Sequence, residues 1–126
     1  MGTFSVAIEV GSPDQTSWRE VDVLVDTGAT YTWLPRQLLL ELGHKPGWTK
    51  SFRLGDGRIV DADVSDVPVR IDGEIHVTTC AFADNGAGRA LGAVTMEQFL
   101  LAPDPINKRL VPVVGLAMTA IAAEAV

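Results

Sequence analysis

The sequence predicts an all-β domain carrying one or two short helices, and three observations lead there. Apolar residues recur mostly with a period of two rather than 3.6. Runs rich in β-branched residues are cut at intervals by Gly, Pro, Asp and Asn. The pair Asp72-Gly73 stands between two such runs, at 67–71 and 74–82, a strong local signal for a two-residue β-hairpin. At 126 residues and 47% hydrophobic content, the chain is long enough for one buried core and too short for two.

Taken in order, residues 3–10 and 18–25 are expected to pair as strands. The stretch Gly11-Ser12-Pro13-Asp14 turns between them, and Val21, Val23 and Val25 share one face. Pro35 suits a first helical position, and Gln37-Leu38-Leu39-Leu40-Glu41-Leu42 runs from there to a stop at Gly43. Gly55-Asp56-Gly57 tolerates positive φ between residues 51–54 and 58–60, so a second hairpin is expected there. Thr95-Met96-Glu97-Gln98 has the capping-box pattern, in which the Thr95 hydroxyl opens a helix that Pro103 and Pro105 prevent from extending far. Residues 106–109 read as a turn into a last strand at 110–114. These assignments make residues 1–114 the domain and residues 115–126 an Ala-rich tail, either part of an interface or mobile.

Composition narrows the function. A net charge of −6, with only ten Lys and Arg, argues against nucleic acid as a partner. No apolar run approaches a membrane span, and the N-terminus has no basic segment followed by an apolar one. The single cysteine, Cys80, excludes an intrachain disulfide and a cysteine-built metal site, and reads as a small core residue. The expected setting is therefore cytoplasmic, without membrane attachment. His44 and His76 have no partners at ligand spacing and read as surface or turn residues. Asp61, Asp63 and Asp66 alternate as on a solvated strand face, without the glycine and glutamate of a calcium loop. No metal and no cofactor are expected.

One stretch carries chemistry. Val25-Asp26-Thr27-Gly28-Ala29-Thr30 ends an apolar run with a carboxylate at the point where the chain must turn. A carboxylate at the end of a buried strand is partly desolvated, and Thr27-Gly28 offers a hydroxyl and backbone amides to orient it, a suitable cradle for an acid or base. Asp is also a common turn residue, so the tripeptide by itself leaves both readings open.

The surrounding sequence resembles the retropepsin-like aspartic proteases, the single-domain family of retroviral and retrotransposon proteases with bacterial relatives. The likeness begins at Val23-Leu24-Val25-Asp26-Thr27-Gly28-Ala29-Thr30 and continues through Tyr31-Thr32-Trp33-Leu34 into the helix after Pro35. Residues 52–60 lie where the family has its flap hairpin. Ala90-Leu91-Gly92-Ala93-Val94-Thr95-Met96-Glu97 is similar to its apolar-apolar-Gly segment, and residues 101–110 to its closing strand-turn-strand. The resemblance implies a small closed or partly open β-barrel of the acid-protease type. It further implies an aspartic endopeptidase in which Asp26 is the catalytic carboxylate, supplied twice by a homodimer and sharing a proton across the pair. Thr27, Gly28 and Ala29 would form the active-site loop, and Leu54, Gly55, Asp56 and Gly57 would close over an extended protein or peptide substrate. Many members follow the second glycine with Arg and then Asp or Asn, whereas here Gly92 precedes Ala93 and Val94. That departure removes a polar tie near the dimer interface and gives weight to an alternative, a non-catalytic peptide-binding or assembly module that keeps the fold.

Overall fold

Val21, Val23 and Val25 are buried while Glu20, Asp22 and Leu24 are exposed, the alternation of a strand with one face on the core. This strand, β2 (Trp18–Val25), pairs antiparallel with β1 (Ser5–Gly11) along its whole length, from Ser5↔Leu24 to Gly11↔Trp18. The computed structural model describes residues 3–84 and 88–118. The β1–β2 connection is organised by Asp14, whose carboxylate accepts from Ser12 Oγ at 2.7 Å, Thr16 Oγ1 at 2.7 Å and Thr16 N at 3.1 Å. These bonds, the Thr16 hydroxyl first, hold the Asp14 carboxyl below its usual range.

The hairpin signal at Asp72-Gly73 is realised with φ +50° and +83° at the two positions, the pair of positive values that a type I′ turn needs. It joins β5 (Ile59–Ile71) to β6 (Glu74–Ala83) in register from Ile71↔Glu74 to Val64↔Ala81. The aspartates that obscure β5 in the sequence bond to hydroxyls on the neighbouring strands. Ser51 donates to Asp61 at 2.6 Å and Thr79 to Asp66 at 2.9 Å. As a result β5 runs unbroken for 13 residues, where the sequence suggested separate pieces. Its first half pairs with β4 (Trp48–Arg53), its second half with β6, and Glu9 and Val10 of β1 pair with Arg70 and Val69.

Two more strands complete the main sheet, β3 (Thr32–Pro35) and β7 (Ala90–Leu91). The order is β1-β2-β7-β3-β6-β5-β4, and the added β1–β5 pairing closes the first six into a ring, with β4 left outside it as an edge. The all-β expectation holds, and the ring encloses a core that includes Ile8, Val10, Leu34, Phe82 and Leu91. Strands β8 (Leu101–Asp104) and β9 (Arg109–Pro112) form a separate hairpin, so the last strand is shorter than the expected 110–114. Residues 113–118 have no regular structure and leave Val114, Leu116 and Met118 exposed; the rest of the expected tail, 119–126, lies outside the described residues.

Two helices seal the ring. Helix α1 (Arg36–Glu41) buries Leu39 and ends at Gly43, whose φ of +96° suits only glycine. The turn carries His44 inward, where its Nε2 donates to Gly11 O at 2.7 Å. His44 is therefore a buried histidine rather than a surface one: an apolar helix end and a strand end meet over it, a long-range contact with no local sequence signal. Helix α2 (Ala93–Gln98) also departs from expectation. Its N-cap is Gly92, and Thr95 lies inside the helix, fully buried. No side chain caps this helix, because Ala93 N donates to Ala29 O at 2.8 Å and Val94 N to Thr30 O at 3.0 Å. The loop after β2 thus satisfies the first amides of the helix, which starts at Ala93 rather than after Thr95. Among the described residues, no helix is long and apolar enough to cross a membrane.

Candidate active site

Strand β7 runs parallel to β2, with Leu24↔Ala90 and Val25↔Leu91, and antiparallel to β3 at Trp33↔Ala90. The loop from β2 to β3 must therefore arch over the end of β7. Asp26 is at its start, with its N–H donating to Leu91 O at 3.0 Å. The turn closes through Ala29 N to Asp26 O at 3.2 Å, and Gly28 N donates to Asp26 Oδ1 at 2.9 Å. Backbone and side chain are thus both oriented, while the residue stays exposed.

Gly92 sits under this arch. A methyl group at its Cβ position would overlap the Tyr31 carbonyl and come within 3.0 Å of Ala29 O, so only glycine permits the close approach. Its N–H donates to Thr32 Oγ1 at 3.0 Å. Thr32 Oγ1 lies 2.6 Å from Thr95 Oγ1, which lies 2.8 Å from Thr78 Oγ1, a chain of hydroxyls with all three residues buried. Thr95→Val keeps the shape and removes the central link, leaving the buried Thr78 hydroxyl without this partner and Thr32 Oγ1 with only the Gly92 N–H. It is expected to cost about 1–3 kcal/mol in urea unfolding, and an unchanged midpoint would show that the chain contributes nothing.

Across from Asp26 stands the β4–β5 hairpin. Leu54 N donates to Arg58 O at 2.8 Å and Gly57 N to Leu54 O at 2.9 Å, with Gly57 at φ +89°. Asp56 accepts from Arg58 N at 3.0 Å and Arg58 Nε at 2.7 Å, bonds that hold its carboxyl below the usual range. At the hairpin's base, Phe52 packs edge-on against Trp33 at 5.0 Å and Tyr31 at 6.0 Å. These contacts tie the hairpin to β3 and to the Asp26 loop.

A cleft of about 500 Å³ opens between the hairpin and the loop. Of the residues singled out in the sequence, Asp26, Gly28, Ala29, Leu54 and Gly55 line it. Thr27 is exposed on the loop outside this lining, and Asp56 and Gly57 build the hairpin's tip without lining the cleft. Sequence reasoning did not single out Trp33, Phe52, Arg53 and Arg89, which also line it. The aromatic residues at 31, 33 and 52 were a usable signal; Arg89 had none, because only the β2–β7 pairing brings it near Asp26.

Among the described residues, strand β4 presents a free edge along the cleft. Leu54 is bonded to Arg58, so with antiparallel alternation Phe52 also faces β5, while Ser51 and Arg53 turn their backbone N–H and C=O outward. An extended peptide could add there as a strand. Cys80 is away from the cleft, and burial, with a smaller contribution from Asp66, pushes its thiol well above the usual range. His76 lies beside Glu74 and Phe99, also outside the cleft. Among the described residues, no group of three or more His, Cys, Asp or Glu side chains is arranged to hold a metal ion.

Residues 7–101, three quarters of the chain, match the family model described as aspartyl protease. The matched span takes in the Asp26 loop, the β4–β5 hairpin, Gly92 and α2. No curated protein matches the chain.

Proposed function

The chain belongs to the aspartyl protease family, in its retropepsin-like form, and from that footing we propose that it is a homodimeric endopeptidase whose active site is built from two copies of Asp26. The observation that carries this reading is a count: among the described residues lining the cleft, Asp26 is the only carboxylate. Hydrolysis of this type uses two, one as base and one as acid, so a second chain must bring the other. The exposure of Asp26, Thr27 and Gly28 supports a face that a second copy would cover. Residues 1–114 are the functional unit in this reading.

Two carboxylates brought close together cannot both ionise cheaply, so the pair holds one proton. The ionised Asp26 takes a proton from a bound water as the water oxygen attacks the peptide carbonyl carbon. The protonated Asp26 donates to the carbonyl oxygen, giving a tetrahedral diol. Transfer of a proton to the amide nitrogen then lets the C–N bond break, releasing a carboxylic acid and an amine. Gly28 N–H holds one carboxylate oxygen in place, Thr27 bonds across the dimer, and the hairpin residues 54–57 fold over a peptide added to the β4 edge.

The substitution of Ala93 and Val94 for the family's polar pair does not by itself favour a binding-only module. Their backbone amides hold the Asp26 loop directly, without needing side chains. The test combines sedimentation with cleavage of a peptide library over a range of protein concentrations. Specific activity should rise with the dimer fraction and level off when dimer formation is complete. A strict monomer that cleaves rapidly would contradict the shared site.

A further inference from the structure

We propose that the cleft selects peptides carrying an Asp or Glu side chain close to the bond to be cut, recognised by Arg53 and Arg89. The proposal rests on the proteolytic reading only for the word "cut"; the recognition itself is a binding property of the cleft. In a chain of net charge −6, the charged residues that line this cleft among the described residues are Asp26 and two arginines. Two copies sharing one proton between their Asp26 residues would thus present four guanidinium groups against a single negative charge.

Neither arginine is neutralised by a carboxylate among the described residues. The contrast with Arg58 is informative, since that neighbour on the same hairpin is paired with Asp56 at 2.7 Å. Arg53 Nη1 donates to Gly57 O at 3.1 Å, which steadies the side chain against the hairpin tip and leaves most of its five N–H donors for a ligand. Arg89 is fixed from behind, its carbonyl accepting from Leu24 N at 3.1 Å. It also borders a smaller concavity whose carboxylates are Glu20 and Glu41; Glu41 pairs with Arg19, and neither lies within ion-pair distance of Arg89. The remaining wall offers Trp33, Phe52 and Leu54 to apolar side chains. The surface that meets a substrate is therefore mixed, with Thr30 and Ser51 beside these apolar side chains, and its positive charge comes from two points, Arg53 and Arg89. Guanidinium groups recognise carboxylates through charge-assisted, often two-pronged bonds. The acidic remainder of the protein repels an anionic peptide at distance, but beyond a Debye length of about 10 Å that field is largely screened, leaving the cleft's own charges to decide.

The test uses peptides blocked at both ends, so that only side chains supply carboxylates, in pairs differing by Glu against Gln at one scanned position. Binding is read by fluorescence anisotropy on the full chain carrying Asp26→Asn, and kcat/KM on the wild type. At one or more positions the Glu peptide should bind on the order of tenfold more tightly than its Gln partner, with the gap narrowing as salt is added. Arg53→Gln and Arg89→Gln should each shrink the gap and together remove it, while the Arg→Lys versions restore part of it. Equal binding of Glu and Gln peptides at every position, or a preference unchanged in the double Gln variant, overturns the proposal. If wild-type cleavage is absent but the binding preference follows the arginines, the proteolytic reading fails and this one stands.

Discussion

Asp26→Asn should reduce kcat/KM by at least a hundredfold, and by up to about ten-thousandfold, which is the range of general acid–base catalysis, while leaving fold and peptide binding intact. Asn matches Asp in size, and its amide oxygen can still accept from Gly28 N–H, so the loop's geometry has no reason to change. What is lost is the ability to take a proton from water on one side of the pair and give one to the carbonyl on the other. A dimer of the variant also no longer has to hold a proton between two carboxylates, so its thermal midpoint should stay the same or rise. Cleavage that continues undiminished in the variant would remove Asp26 from the chemistry.

Gly92→Ala carries the largest expected loss of stability. The backbone at Gly92, with φ −92° and ψ 170°, is open to any residue, so the obstacle is purely spatial. The added methyl would occupy the position of the Tyr31 carbonyl, and both Tyr31 and Ala29 meet it with backbone atoms that cannot rotate away. Relief requires lifting the Asp26 loop off α2, which breaks the bonds from Ala93 N and Val94 N. Overpacking of this kind costs about 1–3 kcal/mol and sometimes more, and unyielding backbone on both sides places this site at the upper end. Activity should fall with it, since the same loop aims Asp26. Gly55→Ala is the control: nothing lies within 4 Å of its Cβ position, so its urea midpoint should barely move. Equal midpoints for the two variants would contradict the close packing assigned to Gly92.

Where the chain's structure is local, the sequence states it directly. Asp72-Gly73 dictates its own turn, Val21-Val23-Val25 its own buried face, and Gly43 the end of α1. The Asp26 loop was legible for a different reason, as a motif set in an ordered series of other segments. What local pattern could not supply is the work of distant partners. Thr95 looked like a cap because its sequence neighbours fit one, yet the helix begins earlier, its first amides at Ala93 and Val94 taken by carbonyls of the Asp26 loop, and the Thr95 hydroxyl is drawn into the core between Thr32 and Thr78. β5 looked interrupted because its aspartates find their partners on β4 and β6. Arg89 looked like any surface residue until a two-residue strand, too short to announce itself, brought it to the cleft.

The central claim is that one active site needs two chains, and mixing chains tests it most directly. Wild-type protein held at a fixed, dimer-forming concentration is equilibrated with increasing amounts of Asp26→Asn chains, and cleavage of one peptide is followed. If each site takes one Asp26 from each of two subunits, added variant captures wild-type subunits into inactive pairs, and activity should fall toward zero although the amount of wild-type chain never changes. Activity that stays constant as the variant is added would show that each chain works alone, and would contradict the shared site.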